Sequence, residues 1–190
     1  MDGDTFWEII EAALVEAAEA GEPFDEVLVR GLAGRPRQEI LEYAERFDAL
    51  HGALYRWDVW AAAYLIGGGC SDDSFIDFRA GVIAMGRDWY QRVDTAPDNL
   101  AAHTDVIQAA NLGDRSEALF YEDVNYAASA AFARIAGDTE AFYEAWRDFR
   151  EADTQGDKAV GMGEDFDFDD DREMSRRLPG LAALFPDANL

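Results

Sequence analysis

An all-α fold, a single compact domain of about six to eight helices, is what this sequence predicts. Three observations predict it. Apolar residues recur at steps of three and four almost throughout, as one face of a helix requires. Alternating runs rich in Val, Ile and Thr, the mark of half-buried strands, are nearly absent. The 190 residues are 49% hydrophobic and 13% aromatic, enough for a real core, so the acidity of the chain does not read as disorder.

The first helix opens at Asp4 or Thr5, carries Phe6, Ile10, Ala13, Leu14 and Ala17 on one face, and ends at Gly21. A short helix follows Pro23, with Phe24, Val27, Leu28 and Leu32 inward. Pro36 suits the first turn of a third, where its missing N–H costs nothing. That helix is expected to be long and bent near Gly52, its stripe running Ile40, Ala44, Phe47, His51, Leu54, Asp58, Ala62 and Leu65. The glycines of "GGGCSDD" stop it, Ser71 caps the next helix, and Asp72 and Asp73 put negative charge on its first turn. From there Phe75, Phe78, Val82, Met85 and Trp89 predict one unbroken helix.

Loops around Pro97 and Gly113 lead to a helix over 117–135, ended by Gly137, and to another beginning at Thr139 with Phe142, Trp146 and Phe149 inward. The expected organisation is a helical core over 1–152, an acidic loop or linker over 153–171, and a short helical segment over 172–190 packing on the core. In that segment Met174, Leu178, Leu181 and Phe185 share a helical spacing, and Pro179 separates two short turns.

Forty acidic against sixteen basic residues leave a net charge of −24. Such a field repels nucleic-acid phosphates and anionic lipid, so neither nucleic acid nor a membrane is an expected partner; a basic protein or peptide is. The start, "MDGDTFWEII", lacks the basic and apolar regions of a secretory signal. The longest clean apolar run, Val59 to Ile66, falls far short of the ~20 residues a membrane span needs. One cysteine permits no internal disulfide and no cysteine zinc cage. A cytoplasmic protein with no cofactor is the economical expectation.

Cys70 precedes a helix N-terminus, which lowers a thiol pKa, but Asp72 and Asp73 oppose that effect, and a small buried hydrophobe is the expected role. The glycines are followed by Cys-Ser-Asp-Asp and not by the Lys and hydroxyl of a phosphate loop. Asp165, Asp167 and Asp169 are spaced as a calcium loop begins, yet Asp170 stands where such a loop needs Gly and Arg176 where it needs Glu. The remaining feature is polar groups in apolar stripes. Arg79 falls inside the apolar arc of its helix, and His51 and Asp58 occupy stripe positions of the one before. A buried guanidinium needs partners; Asp58 is the first candidate and Asp72 the second. The candidate binding set is therefore His51, Asp58, Cys70, Asp72, Asp73 and Arg79, with no catalytic residue and no metal ligand assigned.

Three stretches carry a resemblance: "FWEIIEAA", "YRWDVWAAAYLIGGGCSDDSFIDFRAGVIAMGR" and "RRLPGLAALF". Together, from Phe6 to Phe185, they resemble the bacterial domain-of-unknown-function family 4240. The family pattern has an aromatic where this chain has Asp77, and Trp-Leu-Ile where it has Ala80 to Ile83; Phe75, Phe78 and Arg79 are kept. The resemblance implies no activity. The expected function is that of a soluble, acidic, non-enzymatic interaction or accessory module binding a basic partner. The alternative is a small-molecule-binding protein or enzyme using a polar pocket around His51, Asp58 and Arg79.

Overall fold

The computed structural model describes residues 1–113, 119–152 and 161–186. Among them the chain forms twelve α-helices and one 3-10 helix, and no strand. The all-α expectation holds, and the expected number of helices is exceeded because both long stripes are cut.

α1 (Gly3–Ala20) starts earlier than expected, since Asp2 caps it by accepting from the Thr5 amide at 2.8 Å. α2 (Phe24–Ala33) follows Pro23, and α3 (Arg37–Ala53) follows Pro36. α3 ends where a bend was expected. Tyr55 N closes a tight turn on Gly52 O, Arg56 is extended at φ −139°, and α4 (Trp57–Gly67) begins afresh. Gly68, at φ 68°, closes α4 in the left-handed conformation that glycine adopts without a Cβ penalty. α5 (Asp72–Ala84) starts at Ser71, whose hydroxyl accepts from Ser74 N. It also stops short: Gly86, at φ 89°, leaves helical geometry and opens α6 (Arg87–Thr95). Trp89 thus belongs to a different helix from Phe75.

The 3-10 helix (Pro97–Ala102) and α7 (Thr104–Leu112) come next. The expected start of a helix at Glu117 lies outside the described residues. From Leu119 to Tyr121 the chain is not helical; α8 (Glu122–Asn125) is one turn, and α9 (Ala127–Ala136) and α10 (Glu140–Ala152) follow. Residues 153–160 of the expected linker are likewise outside the described set. α11 (Asp171–Arg177) and α12 (Pro179–Leu184) meet at Pro179.

Two compact units result, Met1–Leu50 with Asp123–Ala159, and His51–Glu122 with Val160–Leu190. In the first, α2 packs on both α1 and α9, and α10 packs on α9. Phe6 stacks on Tyr43 with ring centroids 5.0 Å apart, both fully buried. In the second, α12 packs on the 3-10 helix and on α4, and α5 packs on α4 and α6. The segment after Leu119 crosses α5 closely enough for Tyr121 N to bond Asp77 O at 3.2 Å. Phe168, in the acidic segment, lies against the rings of Trp57, Trp60 and Tyr64, whose hydroxyl donates to Asp169 at 2.8 Å. No described helix is long and apolar enough to cross a membrane.

Candidate functional site

All six candidate residues fall in the second unit, and the structure brings some of them together. The wheel turned Arg79 inward, and it is only 7% exposed. Its Nε donates to Phe75 O one turn back at 3.2 Å, and NH1 donates to His51 O at 3.1 Å. The guanidinium lies over the rings of Tyr55 and Phe75, 5.0 and 4.8 Å from their centroids. His51 O belongs to the last turn of α3, where carbonyls lack helical partners and the dipole is negative. Arg79 therefore caps that helix end from α5, and each ring beneath it adds a cation–π attraction of about 0.5–2 kcal/mol.

His51 completes the tie from the other side. Its Nε2 lies 2.9 Å from Ile76 O and donates to it as the neutral ring. Burial pushes the His51 pKa down to about 4, and the charge of Arg79 acts in the same direction, against the Ile76 carbonyl. At neutral pH the ring is uncharged.

Asp58 does not serve Arg79 as expected. Its carboxylate accepts from Arg56 Nε at 3.0 Å and from the Val59 amide at 2.9 Å. Arg56 also reaches Asp94 at 2.7 Å. The reason is local: Asp58 sits in the first turn of α4, two residues from an arginine on the extended corner. Asp72 and Asp73, the first turn of α5, are exposed.

Cys70 is half-buried at the corner, with Sγ directed at Ser71 O. Burial pushes its thiol up to about 12; the Trp60 indole and Arg79 pull down, while Asp72 and Asp77 push up. The neighbouring carboxylates act in the direction the sequence suggested, but burial dominates. Trp60 is the organiser here: Nε1 donates to Cys70 O at 3.1 Å, and its ring stacks on Phe75 at 4.8 Å.

Three contributors escaped the sequence. Arg56 bridges two carboxylates. Asp98, just inside the 3-10 helix, accepts from the amides of Gly180 and Leu181 at 3.0 and 2.9 Å and so holds the start of α12. His103 caps α7 by accepting from Asp105 N and packs edge-on to Trp89. Only Arg56 had a signal, its place before a helical run that opens with Asp58. Among the described residues no group of three or more His, Cys, Asp or Glu side chains is placed to hold a metal.

A family model described as Protein of unknown function (DUF4240) matches residues 1–134. That span includes the glycine corner and Arg79, and excludes the "RRLPGLAALF" stretch that carried part of the resemblance. No curated protein and no solved structure matches the chain.

Proposed function

We propose, for a chain that belongs to the DUF4240 family of proteins of unknown function, a non-enzymatic role as an interaction module that binds a basic protein or peptide. The observation that carries this reading is the net charge of −24, together with its distribution. α1 alone presents five carboxylates and no basic residue. A field of this kind accelerates encounter with a cationic partner, and works against nucleic acid and anionic membrane. It also favours solubility, in keeping with a bacterial cytoplasmic protein.

The second reading, a small-molecule or catalytic site at His51, Asp58 and Arg79, needs those groups to face a substrate. Each of the three has a partner within the fold: the imidazole Nε2 with Ile76 O, the carboxylate with Arg56, the guanidinium with two carbonyls. Cys70, with its thiol pushed up to about 12, is a poor nucleophile at neutral pH. These engagements support an architectural role for the corner, and the net charge of −24 supports the reading that assigns function to the acidic surface.

The probe is a labelled amphipathic peptide with leucines on one helical face and lysines on the other, read by fluorescence anisotropy. Binding is expected at low ionic strength, weakening roughly tenfold or more between about 0.05 and 0.5 M salt as exposed charges are screened. A version with glutamates for lysines should not bind. Failure of the lysine peptide to bind, or binding unchanged at molar salt, overturns the reading.

A further inference from the structure

We infer that the cleft between α1 and α2 seats one aliphatic side chain of that basic partner, while the partner's flanking cations engage the carboxylates of α1. The inference rests on the proposed binding of a basic partner and specifies where it occurs. The cleft has a volume of about 80 Å³. A drug-sized ligand takes about 300–1,000 Å³, so this space suits a single aliphatic group and nothing larger. Its floor is Ile9, Ala13, Val27 and Leu28, all buried, and its mouth is Ala12 and Gly31, both exposed.

Gly31 keeps the cleft open. It lies inside α2, where glycine is a poorer helix former than alanine, and a Cβ placed there would meet nothing within 4 Å. Neither a close approach nor a left-handed backbone demands glycine at this position. What the missing side chain leaves is open space above an apolar floor.

Charge complementarity fixes the occupant. Between Gly3 and Arg35 there are eight carboxylates and two arginines. Glu16 and Arg35 stand on the cleft wall, Arg35 paired with Glu39 at 2.9 Å, and helical spacing puts Glu8 and Glu19 on the flank beside Ala12. Val15, 58% exposed, adds an apolar contact on that flank for the stem of a lysine or arginine. Glu16 and Glu22 are bridged by Arg30 at 2.9 and 2.7 Å, with all three side chains well exposed. Surface pairs of this kind are weak, so an incoming cation exchanges for Arg30 at little cost. A cationic helix with an aliphatic anchor is the chemistry that fits such a groove.

The test uses the same labelled leucine–lysine peptide. Gly31→Leu fills the cleft from within a helix that tolerates it, so the melting temperature should hold or rise while affinity falls at least tenfold. Replacing the peptide's leucines by alanines should cost wild type a similar factor and cost Gly31→Leu little more. If Gly31→Leu proves unstable, amide NMR shifts on wild type decide: they should concentrate at Ile9, Ala12, Val27 and Gly31. Salt-sensitive binding that ignores Gly31→Leu and leaves those amides unmoved overturns the cleft as the seat, yet leaves a basic partner standing. Absence of binding to wild type removes both.

Discussion

Met1–Leu50 with Asp123–Ala159 contains the two longest described helices, of 18 and 17 residues in α1 and α3. The helices that lie wholly in His51–Glu122 with Val160–Leu190 have 13 residues or fewer, from α5 down to six in α12. Helices shorter than ~12–15 residues are marginal alone, because nucleation fixes several residues for one hydrogen bond. The first unit answers with apolar faces: α2 buries Val27, Leu28, Val29 and Leu32. The second adds polar side chains that reach backbone: Arg79 to His51 O, Asp98 to the start of α12, Trp60 to the turn before α5. Where helices are short, the charged residues become structural. The two units should therefore respond differently to the same kind of substitution.

The largest contrast is expected at two helical glycines. A Cβ on Gly81 would run into the Leu119 carbonyl, which is backbone and cannot step aside. Leu119 itself is held at φ 67°, a conformation unusual for leucine, as the chain crosses α5. Gly81→Ala should cost about 3 kcal/mol or more, at the upper end of overpacking. Gly31→Ala should instead stabilise by up to about 1 kcal/mol, since its Cβ meets open space. Urea unfolding of both variants checks the pair; equal effects would erase the distinction between a packed and an open glycine.

Next comes arginine. Arg79→Met leaves the α3 carbonyl and the two rings without their cation, and should cost about 2–4 kcal/mol. Arg79→Lys should recover only part, because an ammonium has neither the planar stacking face nor the forked donors. The matching change in the first unit, Arg30→Ala, removes two exposed ion pairs and should leave the melting temperature unchanged. A comparable loss at Arg30 would show that exposed pairs also hold this protein together.

These contrasts mark what was legible in the sequence. The first unit was readable because its determinants are local: Phe6, Ile10, Ala13 and Ala17 are buried as their spacing requires. In the second, the wheel turned Arg79 inward correctly. It could not name the partner, because a backbone carbonyl has no sequence signature and every residue carries one. The stripe through His51, Leu54 and Asp58 kept steps of three and four across a real break, so periodicity joined α3 to α4. The crossing of Leu119 over Gly81 depends on contact between residues 38 positions apart. No local pattern reports it.

His51 supplies a pH-dependent version of the same comparison. Its ordinary pKa is about 6.5 and in the folded chain it is about 4, so the unfolded chain binds the proton more readily between those values. Above about pH 6.5 the ring is neutral in both states and contributes no slope. As the pH falls from about 6.5 towards about 4, stability should drop by at most about 1.4 kcal/mol per unit, levelling off below. His51→Gln, which keeps a donor for Ile76 O, should reduce the slope in that window to the share of His103, whose pKa burial also lowers, and leave the dependence at lower pH, where carboxylates such as Glu42 titrate. An unchanged slope in His51→Gln would mean that the imidazole titrates freely and is not buried in the corner.

The smallest effect is expected at the start of α12. Asp98→Ala removes the acceptor for the Gly180 and Leu181 amides, comparable to losing a helix cap, and should cost about 1 kcal/mol. Global stability is a blunt readout for this, and hydrogen exchange is sharper. If Asp98 holds α12 locally, the Gly180 and Leu181 amides should exchange faster by about tenfold, while Ile10 and Leu28 keep their protection. Gly180→Ala is the companion variant, because its Cβ would press on the Ala101 methyl at 2.9 Å and on the Asp98 carboxylate at 3.1 Å. It should raise exchange at the same two amides by crowding the contact that Asp98→Ala removes. Uniform acceleration across both units in either variant would mean that α12 is no separate attachment, and that its short helix shares the stability of the long ones.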